Sequence, residues 1–83
     1  MFITFEGPDG SGKTMQINPT ADFLRSRGLS VFTAREPGGT SIGDQVRSVL
    51  MNLENTSMNP RAETLLFCAA RAQLVDEVIR PHL

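Results

Sequence analysis

The sequence predicts an α/β fold with a parallel sheet, and two observations lead to that prediction. Residues 1–6 are dominated by β-branched and aromatic side chains, which is typical of a short buried strand. A glycine-rich turn and a segment typical of a helix follow, and residues 29–35 are then predicted to form a second strand. A strand–helix–strand order implies a right-handed crossover and parallel strands. We expect two strands and three helices in residues 1–83, too few to complete a doubly wound sheet, so the chain is predicted to be the N-terminal part of a single domain.

The first helix is predicted to follow the glycine-rich turn and to run over residues 13–27. Gly28 can adopt the left-handed conformation that ends a helix. Pro19 falls inside this helix, where a proline costs about 3 kcal/mol or more. We therefore expect either a kink at Pro19 or a restart of the helix with Asn18 as its cap.

Two further helices are predicted from caps and apolar spacing. Thr40 or Ser41 can cap the second helix, which is expected to run to about Leu53. The third helix is expected over residues 59–80, with an asparagine cap followed by a first-turn proline. Pro81 is expected to prevent its continuation.

Residues 7–14 read Gly-Pro-Asp-Gly-Ser-Gly-Lys-Thr and match the pattern of a phosphate-binding loop. Glycines let such a loop curl its N–H groups inward, and the next helix adds the positive end of its dipole. Lys13 would reach the β- and γ-phosphates, and the Thr14 hydroxyl would ligate Mg²⁺. The strand–turn–helix context favours this interpretation over a turn in which Lys13 is only solvated. The candidate residues for binding a nucleoside triphosphate are Gly7, Pro8, Asp9, Gly10, Ser11, Gly12, Lys13 and Thr14.

A second group of candidates follows the second predicted strand. Residues 35–40 would lie at the same carboxyl edge of the sheet as the loop, where ligands of parallel sheets bind. Arg35 and Glu36 could line that cleft, or they could be solvated or paired with each other. Phe67 and Arg71 lie one helical turn apart, so they could stack on a base and hydrogen-bond its edge. Spacing alone favours a core Phe67 and a solvated Arg71.

Composition excludes some classes of partner. Lys plus Arg is 8 and Asp plus Glu is 9, so there is no basic excess for a nucleic-acid or membrane surface. Cys68 is the only cysteine, which permits no intrachain disulfide and fits a reducing compartment. Its apolar neighbours favour a buried small hydrophobe over a nucleophile. Because no signal peptide or membrane span is visible, a cytoplasmic protein is expected.

Three segments together resemble the bacterial thymidylate kinase family. They are residues 2–14, the Arg-Glu-Pro-Gly-Gly-Thr of residues 35–40, and residues 61–71 with Arg-Ala-Glu-Thr-Leu-Leu-Phe and then Ala-Ala-Arg. The loop alone occurs in many proteins, whereas the three segments in this order are far more specific. The resemblance implies a P-loop nucleoside-monophosphate-kinase-like three-layer sandwich. It also implies transfer of the ATP γ-phosphate to dTMP to give dTDP, with ATP and Mg²⁺ as cofactors and a homodimer as the full-length protein.

The resemblance also implies roles for residues outside the loop. The position of Phe67 stacks on the thymine, and that of Arg71 hydrogen-bonds the edge of the base. The positions of Glu36 and Pro37 line the monophosphate site. The position of Arg47, which alone would read as a surface cation, reaches the acceptor phosphate.

Within the loop, the resemblance implies that Asp9 lies between the donor and acceptor phosphates, near the metal. Lys13 and Asp9 are thus the candidate catalytic residues, and Thr14 and Asp9 the candidate metal ligands.

Gly10 indicates which of two types within the family this chain resembles, and two further positions, Met15 and Pro19, depart from the family pattern. Gly10 stands where some members have a loop arginine, so the chain resembles members whose arginine comes from a later lid. Met15 replaces a second Thr or Ser, which puts a hydroxyl near the α-phosphate in doubt. Pro19 interrupts a helix that the family keeps continuous.

The lid and the Asp-Arg pair of the family's third strand do not occur in these 83 residues. We therefore expect the chain alone to be inactive. Because the family places the third strand between the first two, we also expect the isolated product to be unstable, rearranged or oligomeric. The alternatives are a shortened, non-catalytic P-loop nucleotide-binding module and a related P-loop kinase for another nucleotide.

Overall fold

The computed structural model describes residues 1–8 and 10–83, and in this part the chain folds into helices. The main helices are α1 (Lys13–Ser26), α2 (Ser41–Met51) and α3 (Pro60–Leu74). A π-helical turn at Val75–Ile79 and a short helix, α4 (Arg80–His82), follow α3. The chain divides into two compact units, Met1–Thr33 and Ala34–Leu83.

The predicted α/β sandwich with a parallel sheet is wrong for the described part of the chain. Residues 1–8 and 29–35 have no regular secondary structure, and none of the described residues forms a strand. A strand exists through hydrogen bonds to a neighbouring strand, and these two segments do not pair with each other. Most of their large apolar side chains are exposed, as Phe2 at 59% and Phe32 at 56% show. Composition typical of a strand therefore did not produce one.

In the first unit, α1 is a single helix that contains Pro19 in its interior. The predicted stop is confirmed, because Gly28 has φ of 86° and its N–H donates to the Arg25 carbonyl at 2.9 Å. The predicted restart at Asn18 is wrong. Because a proline has no N–H, Pro19 cannot donate the usual helical hydrogen bond to the carbonyl of Met15. Both residues are exposed, so water can donate to that carbonyl instead.

In the second unit, α2 and α3 pack against each other and each begins at a side-chain cap. Thr40 Oγ1 accepts the Gly43 N–H at 2.8 Å, and Asn59 Oδ1 accepts the Ala62 N–H at 2.8 Å. Both predicted caps are confirmed. α2 ends at Met51 rather than near Leu53, because Asn52 adopts an extended conformation with ψ of 116°.

The predicted stop at Pro81 is wrong, since helical structure continues to His82. The π-helical turn ends at Ile79, two residues before this proline, and the Arg80 N–H donates to the carbonyl of Val75, five residues back. A π turn is wider than an α turn, which leaves room for the proline ring beside the preceding turn.

Candidate functional site

Two glycines of the loop before α1 have left-handed backbone conformations. Gly10 has φ of 81° and Gly12 has φ of 93°, values that residues with a Cβ rarely adopt. The Ser11 N–H donates to the Pro8 carbonyl at 3.2 Å, which closes a tight turn. Gly12 is the N-cap residue of α1, and it has no side chain to cap the first N–H groups of the helix. Such groups are the usual donors to a phosphate at a helix N-terminus.

Lys13 is folded back over this loop. Its Nζ donates an exposed hydrogen bond to the carbonyl of Gly7, so the ammonium lies at the start of the loop. Thr14 follows in the first turn of α1 and is exposed. The loop, the ammonium and the hydroxyl therefore lie at one end of α1.

The predicted metal ligands are Thr14 and Asp9, and Asp9 lies outside the described residues. Across residues 1–8 and 10–83, no group of three or more His, Cys, Asp or Glu side chains could hold a metal ion. Mg²⁺ is commonly held by few protein ligands together with substrate phosphates and water. The exposed Thr14 hydroxyl fits that kind of site, in which the nucleotide supplies most of the oxygens.

The second unit contains an open pocket of about 160 Å³ between the residue 36–40 turn and α3. Its lining brings together Glu36, Pro37, Phe67, Cys68 and Arg71. Four of the five predicted substrate-binding residues are among them. Spacing alone predicted that Phe67 lies in the core, and this prediction is wrong because the residue is 40% exposed. The Phe67 ring is therefore accessible to a planar ligand.

Glu36 and Arg71 form an ion pair at this pocket. Arg71 Nε lies 2.9 Å from Oε2 and 3.1 Å from Oε1 of Glu36, and Arg71 Nη2 also donates to Oε2. The Arg71 side chain is 68% exposed and that of Glu36 33%. Because exposed pairs contribute little to stability, the main effect of this contact is to orient the guanidinium. Glu36 is thus neither merely solvated nor paired with Arg35, the two alternatives left open by the sequence.

Arg47 is partly buried, so it is more than a surface cation. Its Nη1 donates to the Pro37 carbonyl at 3.0 Å, from the side of α2. It does not line the pocket but supports the turn that does. The Glu36–Pro37 peptide bond in this turn is cis.

Two residues of the site were missed or misread from the sequence. Cys68 was expected to be buried, but it is exposed and lines the pocket, because its face of α3 is not covered. Asp44 was not singled out, yet its Oδ1 accepts the Gly39 N–H at 3.0 Å. The sequence did contain a feature that could have indicated a role for Asp44. It is an acidic residue in the first turn of α2, four residues after the Thr40 cap.

No helix within the described ranges is both long and apolar enough to cross a membrane.

Known proteins that resemble this chain are phosphotransferases. A family model described as thymidylate kinase matches residues 5–83. The chain is 54% identical over 83 residues to a thymidylate kinase of Thermosipho africanus, and 55% identical to one of Roseiflexus sp. strain RS-1. The matches cover 100% of this chain but 41% and 37% of those relatives. This chain belongs to the thymidylate kinase family, as its three sequence segments suggested, and spans about two fifths of the length of the curated relatives it matches.

Proposed function

We propose that this chain forms the phosphate-donor and phosphate-acceptor sites of an ATP-dependent dTMP kinase, which converts dTMP to dTDP. The observation that carries the proposal is the pocket of the second unit, where Glu36 and Pro37 meet Phe67 and Arg71 from a distant segment. Membership of the thymidylate kinase family supports a thymine nucleotide as its occupant.

On the acceptor side, each residue of the pocket has a physical task. The Phe67 ring stacks on the base, and the Arg71 guanidinium, oriented by Glu36, donates to the edge of the base. Arg47 has five N–H donors, so it can hold the Pro37 carbonyl and still offer donors to the acceptor phosphate.

On the donor side, the loop of residues 7–14 holds the phosphates of ATP. Its N–H groups and the N-terminus of α1 attract the anion, and Lys13 moves from the Gly7 carbonyl to the β- and γ-phosphates. The Thr14 hydroxyl and, as the family resemblance implies, the Asp9 carboxylate would hold Mg²⁺, which neutralises phosphate charge when it is bound. Phosphoryl transfer requires little covalent chemistry from the protein, so positioning and charge neutralisation by these residues are the main contributions.

Turnover is proposed for the longer protein rather than for these 83 residues alone. The lid arginine and the Asp-Arg pair that the family resemblance implies are not in this sequence. We expect the chain alone to bind ATP and dTMP without transferring phosphate. The family resemblance also supports a cytoplasmic homodimer for the full-length protein.

A coupled assay of ADP release tests the proposed activity. The samples are the 83-residue chain and a chimera that adds the remaining C-terminal sequence of the Thermosipho africanus relative, each with ATP, Mg²⁺ and a series of nucleoside monophosphates. We expect turnover by the chimera with dTMP and loss of that turnover in its Lys13→Ala variant. Activity with a different monophosphate but not dTMP would contradict the substrate assignment. Binding without transfer in the chimera would favour a non-catalytic module.

A further inference from the structure

We propose that Asp44 is a positioning residue for the dTMP pocket. This inference rests on the proposed function, because it assumes that the pocket binds dTMP. Asp44 does not line the pocket, and its carboxylate instead holds the residue 36–40 turn that supplies one wall. It acts on the ligand through Glu36 and Pro37.

The main chain of the turn lies directly on the Asp44 carboxylate. Oδ1 accepts the Gly39 N–H at 3.0 Å. A Cβ built on Gly38 would lie 2.6 Å from the same oxygen, so a side chain there could not be accommodated without a shift. The contact thus fixes both the hydrogen bonding and the distance of the turn from α2.

Other contacts anchor the same turn, and they show why the Asp44 contact matters. Arg47, three residues after Asp44, holds the carbonyl of Pro37, whereas Asp44 holds the N–H of Gly39. The turn also approaches α3, because a Cβ on Gly39 would lie 3.0 Å from Leu74 Cδ1. Two side chains of α2 therefore hold one N–H and one carbonyl of the turn, and Leu74 of α3 packs closely against it.

The turn sets the position of Glu36, which directly precedes the anchored Pro37. The Glu36 carboxylate in turn holds Arg71 Nε at 2.9 Å. A binding group must be held within about 0.5 Å of its productive position, and it depends on its supporting contacts for that precision. Loss of the Asp44 acceptor would let the turn shift, so Glu36 would no longer orient Arg71 toward a base.

The test compares Asp44→Ala with Asp44→Asn, which keeps an Oδ1 acceptor at the same place. Asp76→Ala is the matched control, since it removes an equal charge from an exposed surface pair with Arg80. Calorimetry measures dTMP affinity, and a fluorescent ATP analogue measures donor-site affinity. We expect Asp44→Ala to weaken dTMP binding about tenfold, the effect of one lost charge-assisted hydrogen bond. Asp44→Asn should stay within about threefold of the wild type, and no variant should change ATP-analogue affinity.

The Gly39 amide resonance in ¹H–¹⁵N spectra gives a second, direct measurement. It should shift in Asp44→Ala and stay near the wild-type position in Asp44→Asn and Asp76→Ala. Wild-type dTMP affinity in Asp44→Ala, or equal weakening in Asp44→Ala and Asp44→Asn, would overturn the positioning role. If the wild-type chain binds no dTMP, the proposed function fails and the role in dTMP binding fails with it. The Gly39 resonance would then still show whether Asp44 holds the turn.

Discussion

Arg71 is the residue whose surroundings the sequence could least predict. Spacing placed Phe67 and Arg71 on one face of a helix, and that inference depends only on helix geometry. The partner of Arg71 is Glu36, 35 positions away, and no local pattern indicates such a contact. Family resemblance supplied the grouping of these residues, and the packing of α2 against α3 shows how it arises. The donor loop was easier to predict than the pocket, because its residues are contiguous in sequence and its glycine conformations follow from the motif itself.

Replacement of Lys13 by alanine tests the donor loop at the level of one side chain. Lys13→Ala removes the only lysine, whose ammonium bonds the Gly7 carbonyl and is proposed to reach the phosphates. We expect the affinity for a fluorescent ATP analogue to fall about tenfold or more, since a charge-assisted hydrogen bond is lost. The chain contains no Trp or Tyr, so such a probe can be read with little background.

Arg80→Ala is the control for this measurement, because it removes one positive charge from an exposed pair with Asp76. Its affinity for the analogue should equal that of the wild type. Undiminished binding by Lys13→Ala would refute the role assigned to the ammonium.

At the scale of elements, the starts of α2 and α3 were predictable, two helix stops were misplaced, and the predicted strands were wrong. The caps at Thr40 and Asn59 act on N–H groups three residues later, so a short window of sequence contains the whole interaction. A strand requires a partner that is remote in sequence, and residues 1–8 and 29–35 do not provide one for each other. Pro19 shows a further limit of prediction from local sequence. A proline inside a helix is unfavourable, yet α1 continues through Pro19 as a single helix.

The Asn59 cap gives a prediction about the stability of one helix. Asn59→Ala removes the acceptor of the Ala62 N–H at the start of α3, which should lower the free energy of unfolding by about 1 kcal/mol. Asn59→Asp keeps an oxygen acceptor and adds a negative charge at the positive end of the helix dipole, so it should be at least as stable as the wild type. Urea unfolding followed by circular dichroism at 222 nm measures both. Equal stability of the alanine and aspartate variants would show that the cap contributes nothing.

At the scale of the whole molecule, the described part of the chain has a small hydrophobic core. Among the described residues, the buried hydrophobic side chains are Ala21, Ala70 and Leu74. Short chains bury proportionally little surface, and few large side chains are buried here. The expectation that the isolated product is unstable, rearranged or oligomeric stays a prediction, as does the assignment of residues 1–83 to a single domain.

The central claim is that the chain binds two nucleotides at two different sites. The most direct measurement titrates a fluorescent ATP analogue into the chain with and without saturating dTMP, for the wild type and for Lys13→Ala and Phe67→Ala. We predict that dTMP does not displace the analogue, that Lys13→Ala weakens only the analogue, and that Phe67→Ala weakens only dTMP. Displacement of the analogue by dTMP, or loss of both ligands in each variant, would contradict the account.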